Sequence, residues 1–241
     1  MEPFAGRAWV LARRARGEAD LSVALLLEDG SVRWTTARAG AKSSRRFGAG
    51  LSPFTRYRVR FQRGGIGGRA ERLDEATVDR AFAGLHTDLR RLGAAGMLSA
   101  YARDLGGELA EDDALFVAYD AGIARIEHAG PHLSGAVVVG FVVEAFARAG
   151  HEVVRDRCAR CGREVPAGRS VTFAVEAGGV RCAACGGGPF VLRAAERAAL
   201  EAVIAGGDDA FAPWMLRWIA YVSGEHAARG RECVLASVAY W

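Results

Sequence analysis

Thr55-Arg56-Tyr57-Arg58-Val59-Arg60-Phe61 alternates without a break, with Tyr57, Val59 and Phe61 on one side and Arg56, Arg58 and Arg60 on the other. A period of two is that of a strand with one face packed and the other wet. Upstream, Arg7 to Ala12 and Leu21 to Leu27 are short apolar runs, and Asp29-Gly30 turns the chain into Ser31 to Ala37, where Val32, Trp34 and Thr36 share a face. A Gly-, Ser- and Arg-rich loop follows from Arg38 to Gly50, and Gly64-Gly65-Ile66-Gly67-Gly68 turns the chain again. Four or five short strands in about 72 residues fit a small antiparallel barrel, and the five-stranded OB-fold is a nucleic-acid-binding barrel of that size.

From Asp74 onward the period becomes helical. Val78, Phe82, Leu85, Leu89 and Leu92 fall at steps of four and three, which predicts one helix stripe ended by Gly93. A second short helix would carry Leu98, Tyr101 and Leu105. A third would run from Glu111-Asp112-Asp113 through Phe116, Tyr119, Ile123 and Ile126 to Gly130-Pro131, its acids suited to a helix N-terminus. The apolar run Leu133 to Ala149 is too short and too interrupted by Glu144 and Arg148 to span a membrane, and reads as a buried core helix. Ala194 to Ile204 and Pro213 to Ala228 read as two more helices. The expected fold is therefore α+β: an OB-fold β-barrel over residues 1–72, then an all-helical domain over 73–241 with a cysteine-bearing module inserted at about 151–190.

The 241 residues carry a formal charge of only +4, with 51% hydrophobic and 25% charged positions, which excludes a disordered or collagen-like chain. That small sum conceals an uneven distribution. Residues 1–72 hold fifteen basic and six acidic side chains, and residues 73–241 hold seventeen and twenty-two. A basic front third on an acidic body points to an anionic partner for the first unit. Lys42 is the only lysine, so arginine is a habit of the whole chain and carries no bidentate argument. No basic and apolar leader is visible at Met1-Glu2-Pro3-Phe4, which places the five cysteines in a reducing, cytoplasmic compartment without structural disulfides.

Cys158-Ala159-Arg160-Cys161 and Cys182-Ala183-Ala184-Cys185 are two Cys-x-x-Cys pairs twenty residues apart. Four thiolates at this spacing close a tetrahedron around Zn2+, each pair folding as a tight knuckle. Gly162 and Gly186 follow each second cysteine, where a left-handed backbone lets amides point back at sulfur. Arg155, Arg157, Arg160, Arg163 and Arg181 lie close in sequence to offset the negative charge of the thiolates. A shell of four cysteines leaves no open position, so the expected role is structural. Cys233 has no partner at ligand spacing and reads as a buried apolar residue.

The arginine face of the 55–61 strand, with a mobile loop Arg38-Ala39-Gly40-Ala41-Lys42-Ser43-Ser44-Arg45-Arg46 beside it, makes an electrostatic groove for nucleic acid. Alternate residues on a strand lie about 6.6–7 Å apart, comparable with successive phosphates of an extended strand. Trp34, Phe47, Phe54 and Tyr57 are candidate stacking surfaces, and Trp34 and Tyr57 read more readily as barrel core. Several specific enzyme readings mostly fail on the residues. Gly65-Ile66-Gly67-Gly68-Arg69-Ala70 matches a dinucleotide fingerprint with Asp88 near the acidic offset, but a stretch helical from Glu71 to Leu92 leaves no second parallel strand. The single lysine lacks the Lys-x-Asp-Gly setting of a ligase, no His-x-Glu precedes a Pro-Cys-x-x-Cys as in zinc deaminases, and the five histidines form no ligand cluster, though His128 and His132 could share one side of a short helix.

In combination the chain resembles the RecO family of bacterial recombination mediators. The likeness rests on Ala8-Trp9-Val10-Leu11, Gly17-Glu18-Ala19-Asp20, Gly40-Ala41-Lys42-Ser43-Ser44 and Leu51-Ser52-Pro53-Phe54-Thr55. It continues in Ala149-Gly150-His151 leading into Cys158-x-x-Cys161-Gly162, then Gly178-Gly179 before Cys182-x-x-Cys185. It implies an OB-fold joined to a helical domain with a zinc module, without enzymatic turnover. It also implies binding of single- and double-stranded DNA, annealing of complementary strands, and action in the cytoplasm at the nucleoid with RecR and single-stranded DNA-binding protein (SSB) to load RecA, with no membrane partner. The family's basic surface maps onto Arg38, Lys42, Arg45 and Arg46, to which the strand reading adds Arg56, Arg58 and Arg60. The helical body would hold the acidic, apolar-ended tail of SSB. The C-terminal Arg229-Gly230-Arg231-Glu232-Cys233 departs from the Lys-Ser-Arg pattern common there. Two other readings stay open: a zinc-containing scaffold in a repair complex without direct DNA affinity, and a metal-dependent nucleic-acid enzyme.

Overall fold

A long first strand organises the front of the molecule. The structure, a computed structural model, describes residues 3–47, 50–62, 71–109, 113–224, 226–237 and 241. Strand β1 (Pro3–Arg16) pairs through its first half with one neighbour and through its second half with another, and an irregularity between Val10 and Ala12 lets it bend between them. With β2 (Asp20–Leu27), β3 (Val32–Ala37), the short α1 (Ser44–Phe47), β4 (Arg56–Gln62) and β5 (Glu71–Arg80), it closes a five-stranded barrel of order β1-β2-β3-β5-β4. Every pairing is antiparallel except β3 with β5, which runs parallel over Thr35 to Ala37. Inside lie Val10, Val23, Leu25, Leu27, Tyr57, Val59, Phe61, Leu73 and Ala76, with Phe47 and Leu51 packed among them, all buried. Tyr57 is thus core as expected, its hydroxyl accepting from the Ser52 amide at 2.9 Å.

The helical stripe expected from Val78 onward is corrected: residues 71–80 form strand β5. Its period is disguised by a bulge. Register slips between Arg60 and Phe61, so that Phe61 faces Leu73 while Val59 faces Ala76, and two inward residues stand three apart instead of two. Trp34 is corrected too. Thr35 and Ala37 are the buried residues at that end of β3, whereas Trp34 is 42% exposed on the outside. The glycine turn and the fingerprint at residues 64–70 lie outside the described residues. The segment after them is a strand and not a helix, and Asp88 instead caps a helix by accepting from the Arg90 amide at 2.8 Å.

Apart from Val78, the apolar positions expected in two short helices belong to one long helix or its lead-in. After a turn of 3-10 helix at Ala83–Thr87, α2 runs unbroken over Leu89–Leu105, through Gly93. Glycine does not end it; Gly93 and Gly96 lie on the face that α7 packs against, where a β-carbon would meet Ser237 and Cys233 at 3.9 and 3.8 Å. Helices α3 (Ala114–His128) and α4 (Ser134–Arg148) follow. Asp113 stands at the N-cap of α3, and Glu111 and Asp112 lie outside the described residues. Helix α4 is the buried core helix expected, and no helix of the described chain is long and apolar enough to cross a membrane. A small sheet of β6 (Val171–Ala174), β7 (Gly179–Val180) and β8 (Phe190–Leu192), ordered β7-β6-β8, precedes α5 (Ala194–Ile204), α6 (Trp214–Ser223) and α7 (Ala228–Ser237). Helix α7 is an addition to the elements expected.

Two apolar cores result, and the larger ignores the division between barrel and helices. It joins Trp9, Leu11, Ala24 and Leu26 from the outer face of the barrel to α2, α3, α4 and α6, and continues into Val171, Phe173, Val180 and Leu192 of the small sheet. Trp9 stacks on Phe82 with ring centres 5.6 Å apart and meets Tyr119 edge-on at 5.3 Å. Barrel and helices are therefore packed on one another through a dry aromatic seam.

Candidate nucleic-acid interface and metal centre

The arginine row on β4 is not a row of free cations. Arg56 is 14% exposed and its guanidinium bonds Asp79 of β5, at 2.7 Å, and Asp120 of α3. Arg58 reaches the same Asp79 at 3.2 Å, and Arg60 reaches Glu75 at 3.2 Å. Arg7–Glu28 at 2.6 Å and Arg72–Asp74 at 2.8 Å continue this checkerboard on neighbouring strands. Two of the acids that balance the row, Asp79 and Glu75, stand on β5, the strand disguised by its bulge, and the third, Asp120, stands on α3. Burial works against the Asp79 carboxylate, but hydrogen bonds from Arg56 and Arg58 outweigh it, and its pKa lies below the ordinary value.

Arg56 is thus a seam residue. Replacing it with Ala should lower stability by about 3 kcal/mol, because two carboxylates mostly screened from water lose their nearest counter-charge and keep only Arg58 at 3.2 Å and Arg80 at 3.8 Å. Arg58, 78% exposed, should cost under about 1 kcal/mol when truncated. Since the folded pKa of Asp79 is depressed, its stabilising contribution is complete above the ordinary value near ~3.9 and is lost as pH falls through the folded pKa. Urea unfolding of the two variants at neutral and acid pH checks both statements; equal losses for Arg56→Ala and Arg58→Ala would contradict the assignment.

The cations without acidic partners lie elsewhere on the barrel. Among the described residues, Arg13, Arg14, Arg16, Arg38, Lys42, Arg45 and Arg46 are all exposed and none forms a salt bridge. Arg13, Arg14 and Arg16 end β1, and the others follow β3. Arg14 lies over the exposed ring of Trp34, 5.3 Å from its centre, and Arg16 donates to Thr36 at 3.0 Å. The Arg13-Arg14-Ala15-Arg16 run is the sequence signal for this face, easily missed because it does not alternate cleanly.

The basic loop expected to be mobile is anchored at its base. Asp20 accepts the Ala39 amide at 2.8 Å, Ala41 donates to the Ala19 carbonyl at 3.0 Å, and Arg46 reaches back to the Arg38 carbonyl at 2.6 Å. Phe47 is fully buried at the end of α1, so it plugs the barrel and offers no stacking face. Phe54 packs partly buried against the larger core. Three residues other than glycine, Ala39, Leu51 and Phe54, hold positive φ angles of 52°, 55° and 59° around this loop. Such backbone persists only where the surrounding contacts hold it.

The second constellation assembles as its spacing implies. The sulfurs of Cys158, Cys161, Cys182 and Cys185 all lie within 4.8 Å of one another, and those of Cys161 and Cys182 are 3.8 Å apart. Thiolates at ~2.3 Å from a tetrahedral zinc stand about 3.8 Å from each other, so this donor set fits the ion. Gly162 and Gly186, with φ of 72° and 100°, turn the chain after each pair. The Cys182 amide donates to the Cys158 sulfur at 3.4 Å. That bond and the Cys161 amide pull the Cys158 thiol down to about 6, while hydrogen bonding with the Cys182 and Cys161 thiols pushes Cys185 up. Among the described residues these four form the only group of three or more potential ligands at such distances. Cys233 is half-buried, lying against α2.

The arginines expected to balance the thiolates mostly do something else. Arg155 pairs with Glu201 at 3.1 Å, Arg157 with Asp156 at 3.2 Å, and Arg181 with Glu176 at 2.9 Å while donating to the Cys185 carbonyl at 2.7 Å. The module is also stitched to the helices. Arg197 of α5 donates to the carbonyls of Pro166, Arg155 and Val165, and Phe173 meets Trp218 edge-on at 5.6 Å. His128 bonds its own helix at the Ala124 carbonyl. His151 bonds Glu108 at 2.8 Å and lies 4.0 Å from the ring of His226.

Residues 86–219 match the family described as Recombination protein O C terminal. DNA repair protein RecO of Anaeromyxobacter dehalogenans strain 2CP-C is 34% identical over 172 residues, covering 71% of this chain and 66% of that protein. The proteins of the same description from Nocardioides sp. and Streptomyces griseus are 29% and 33% identical over 207 and 208 residues, covering 85% and 83% of this chain and 83% and 81% of theirs. The match thus spans just under two thirds of the Anaeromyxobacter relative and more than four fifths of the other two.

Proposed function

Since the chain belongs to the RecO family of DNA repair proteins, we propose that it is a recombination mediator that binds DNA through its barrel and brings complementary strands together. The observation that carries this reading is the uneven pairing of charge on the barrel. One face is neutralised arginine by arginine, while Arg13, Arg14, Arg16, Arg38, Lys42, Arg45 and Arg46 are exposed without an acidic partner among the described residues. Unopposed cations beside an exposed Trp34 suit phosphates and an unstacked base. The strand order, with β3 parallel to β5, supports assigning the barrel as an OB-fold.

In this mechanism phosphates of two strands, or of a strand already coated by SSB, are neutralised on the cationic face. Repulsion between the strands falls and bases can pair. Arg38, Lys42, Arg45 and Arg46 supply most of that charge; Arg58 and Arg60, exposed but paired, would contribute only by exchanging an acid for a phosphate. Arg56 would stay in the seam. The four cysteines would hold Zn2+, which when bound supplies a rigid cross-link and no chemistry on the nucleic acid. RecR, the SSB tail and, through them, RecA are the partners that this reading assigns to the whole assembly. It makes the protein non-catalytic.

Annealing of complementary oligonucleotides, with and without SSB and across a salt series, tests the proposal. Acceleration that fades with salt is expected. Binding of the protein partners without any salt-sensitive DNA affinity would instead make the chain a scaffold, and turnover of labelled DNA with Mg2+ would make it an enzyme; either overturns the proposal.

A further inference from the structure

A groove of about 710 Å3 runs along the seam where the barrel meets α2 and α7. Its floor and walls are apolar or small, including Leu11, Ala12, Phe54 and Ala100. Its charged lining is one-sided: Arg13 and Arg14 from β1, Arg103 from α2 and Arg229 from α7, against the single carboxylate of Glu232. Asp104, almost wholly buried beneath, is committed to the protein, bonding Arg229 at 2.8 Å and the Gly230 amide at 2.9 Å at the start of α7.

Such an arrangement is unfavourable for the protein alone. The Nε of Arg103 is buried with no hydrogen-bond partner among the described residues. Burial, and then the neighbouring Arg229, lower the affinity of Arg103 for its proton; Asp104 opposes them in part, and Arg14 adds a smaller lowering. Clustered guanidiniums with an unused donor are relieved by an anion entering between them. The helical body is acidic as a whole, so two arginines turned toward the barrel are against its average.

The geometry points to this seam as a binding track for the sugar-phosphate backbone of a single nucleic-acid strand, which Arg13 and Arg14 hold from the barrel and Arg103 and Arg229 hold from the helices. The inference deepens the proposed DNA binding and rests on it. What favours a nucleic-acid strand over an acidic peptide is Arg14, which lines the groove and also covers Trp34, so that phosphate contacts in the seam continue into a stacking surface. The strand is then read by both layers at once, and the helical body is part of the DNA site.

Binding of oligothymidylate across a salt series, for the wild type and for Arg103→Gln/Arg229→Gln, tests this. Arg103 is half-buried, and Arg229, though exposed, is the counter-charge of Asp104, so glutamine is chosen to keep a donor toward that carboxylate and thermal unfolding verifies the fold. Losing the Arg103 contact should flatten the salt slope by about 0.7, and by up to about 1.4 where Arg229 exchanges Asp104 for a phosphate, with binding weakened several-fold at moderate salt. Photocrosslinking of the wild type to oligothymidylate carrying 4-thiothymidine should place adducts in α7 or beside Arg103. An unchanged slope in the double variant, or adducts confined to the barrel, overturns the inference while leaving the proposed function standing. A wild type without salt-dependent binding overturns the proposed function itself. If the double variant keeps its DNA affinity and loses that for an acidic, apolar-ended peptide, the groove is a peptide site and the inference is wrong.

Discussion

Trp9→Ala should lower the free energy of unfolding by about 4 kcal/mol, a large part of the ~5–15 kcal/mol that holds a typical domain. Trp9 is fully buried on the outside of the barrel, between Phe82 and Tyr119, with the Arg56 guanidinium 5.9 Å from its ring centre. Removing the indole leaves a cavity that the rigid barrel wall on one side and α3 on the other cannot close. The loss also falls on the one surface that couples the two layers, so the barrel and the helices should cease to melt together, and far-ultraviolet and tryptophan signals should separate. Trp34→Ala, at an exposed position, should change stability by less than about 0.5 kcal/mol. Denaturant unfolding checks the pair: a loss below about 1 kcal/mol for Trp9→Ala would mean that the seam does not bind the layers.

Removing the metal should have an effect of similar consequence, confined to a different place. One Zn2+ per chain is expected, and its binding to four thiolates is worth on the order of 10 kcal/mol in small zinc domains. The β6–β8 sheet offers only Val171, Phe173, Ala174, Val180 and Leu192 as deeply buried apolar strand residues, and all but Ala174 belong to a core shared with the helices. Without the cross-link, little holds the knuckles at Cys158–Cys161 and Cys182–Cys185. A strong chelator, or Cys161→Ser, should abolish zinc content and expose amides of residues 154–192 to hydrogen exchange, while β1–β5 keep their protection. The bonds from Arg197 and the Phe173–Trp218 contact set the limit of the damage, because they tie the module to α5 and α6 without the ion. Undiminished protection of 154–192 in zinc-free protein would contradict a structural role.

How far these features can be read from the chain depends on how local their causes are. The cysteine pairs are legible because each knuckle is closed by its own four residues and the glycine after them. Strand β4 is legible because one periodicity runs through it, and α4 because its apolar run is longer than a strand and too interrupted for a membrane span. Strand β5 is not, since the bulge at Phe61 puts Leu73 and Ala76 three apart, which imitates a helix turn. That one disguise hides Asp79 and Glu75, two of the acids that neutralise the arginine row, and so makes the wrong face of the barrel look cationic. Gly93 suggests a helix end because the packing of α7 against it is non-local. Helix α7 itself is obscured by Gly230, which is in the helix because a β-carbon there would come within 2.5 Å of Tyr101. Arg103 and Arg229, 126 positions apart, meet only through that packing.

The cationic loop at the end of β3 is the proposed DNA contact, and the salt dependence of DNA binding reports on it. For wild type and for a variant with Arg38, Lys42, Arg45 and Arg46 all changed to Gln, the logarithm of affinity for a single-stranded oligonucleotide is plotted against the logarithm of salt concentration. Each phosphate contact contributes about 0.7 to the slope, so losing four should flatten it by about 3. A slope that falls by that order, in a variant that melts like the wild type, is the expected result; a variant whose slope and affinity equal those of the wild type would show that the loop does not hold DNA.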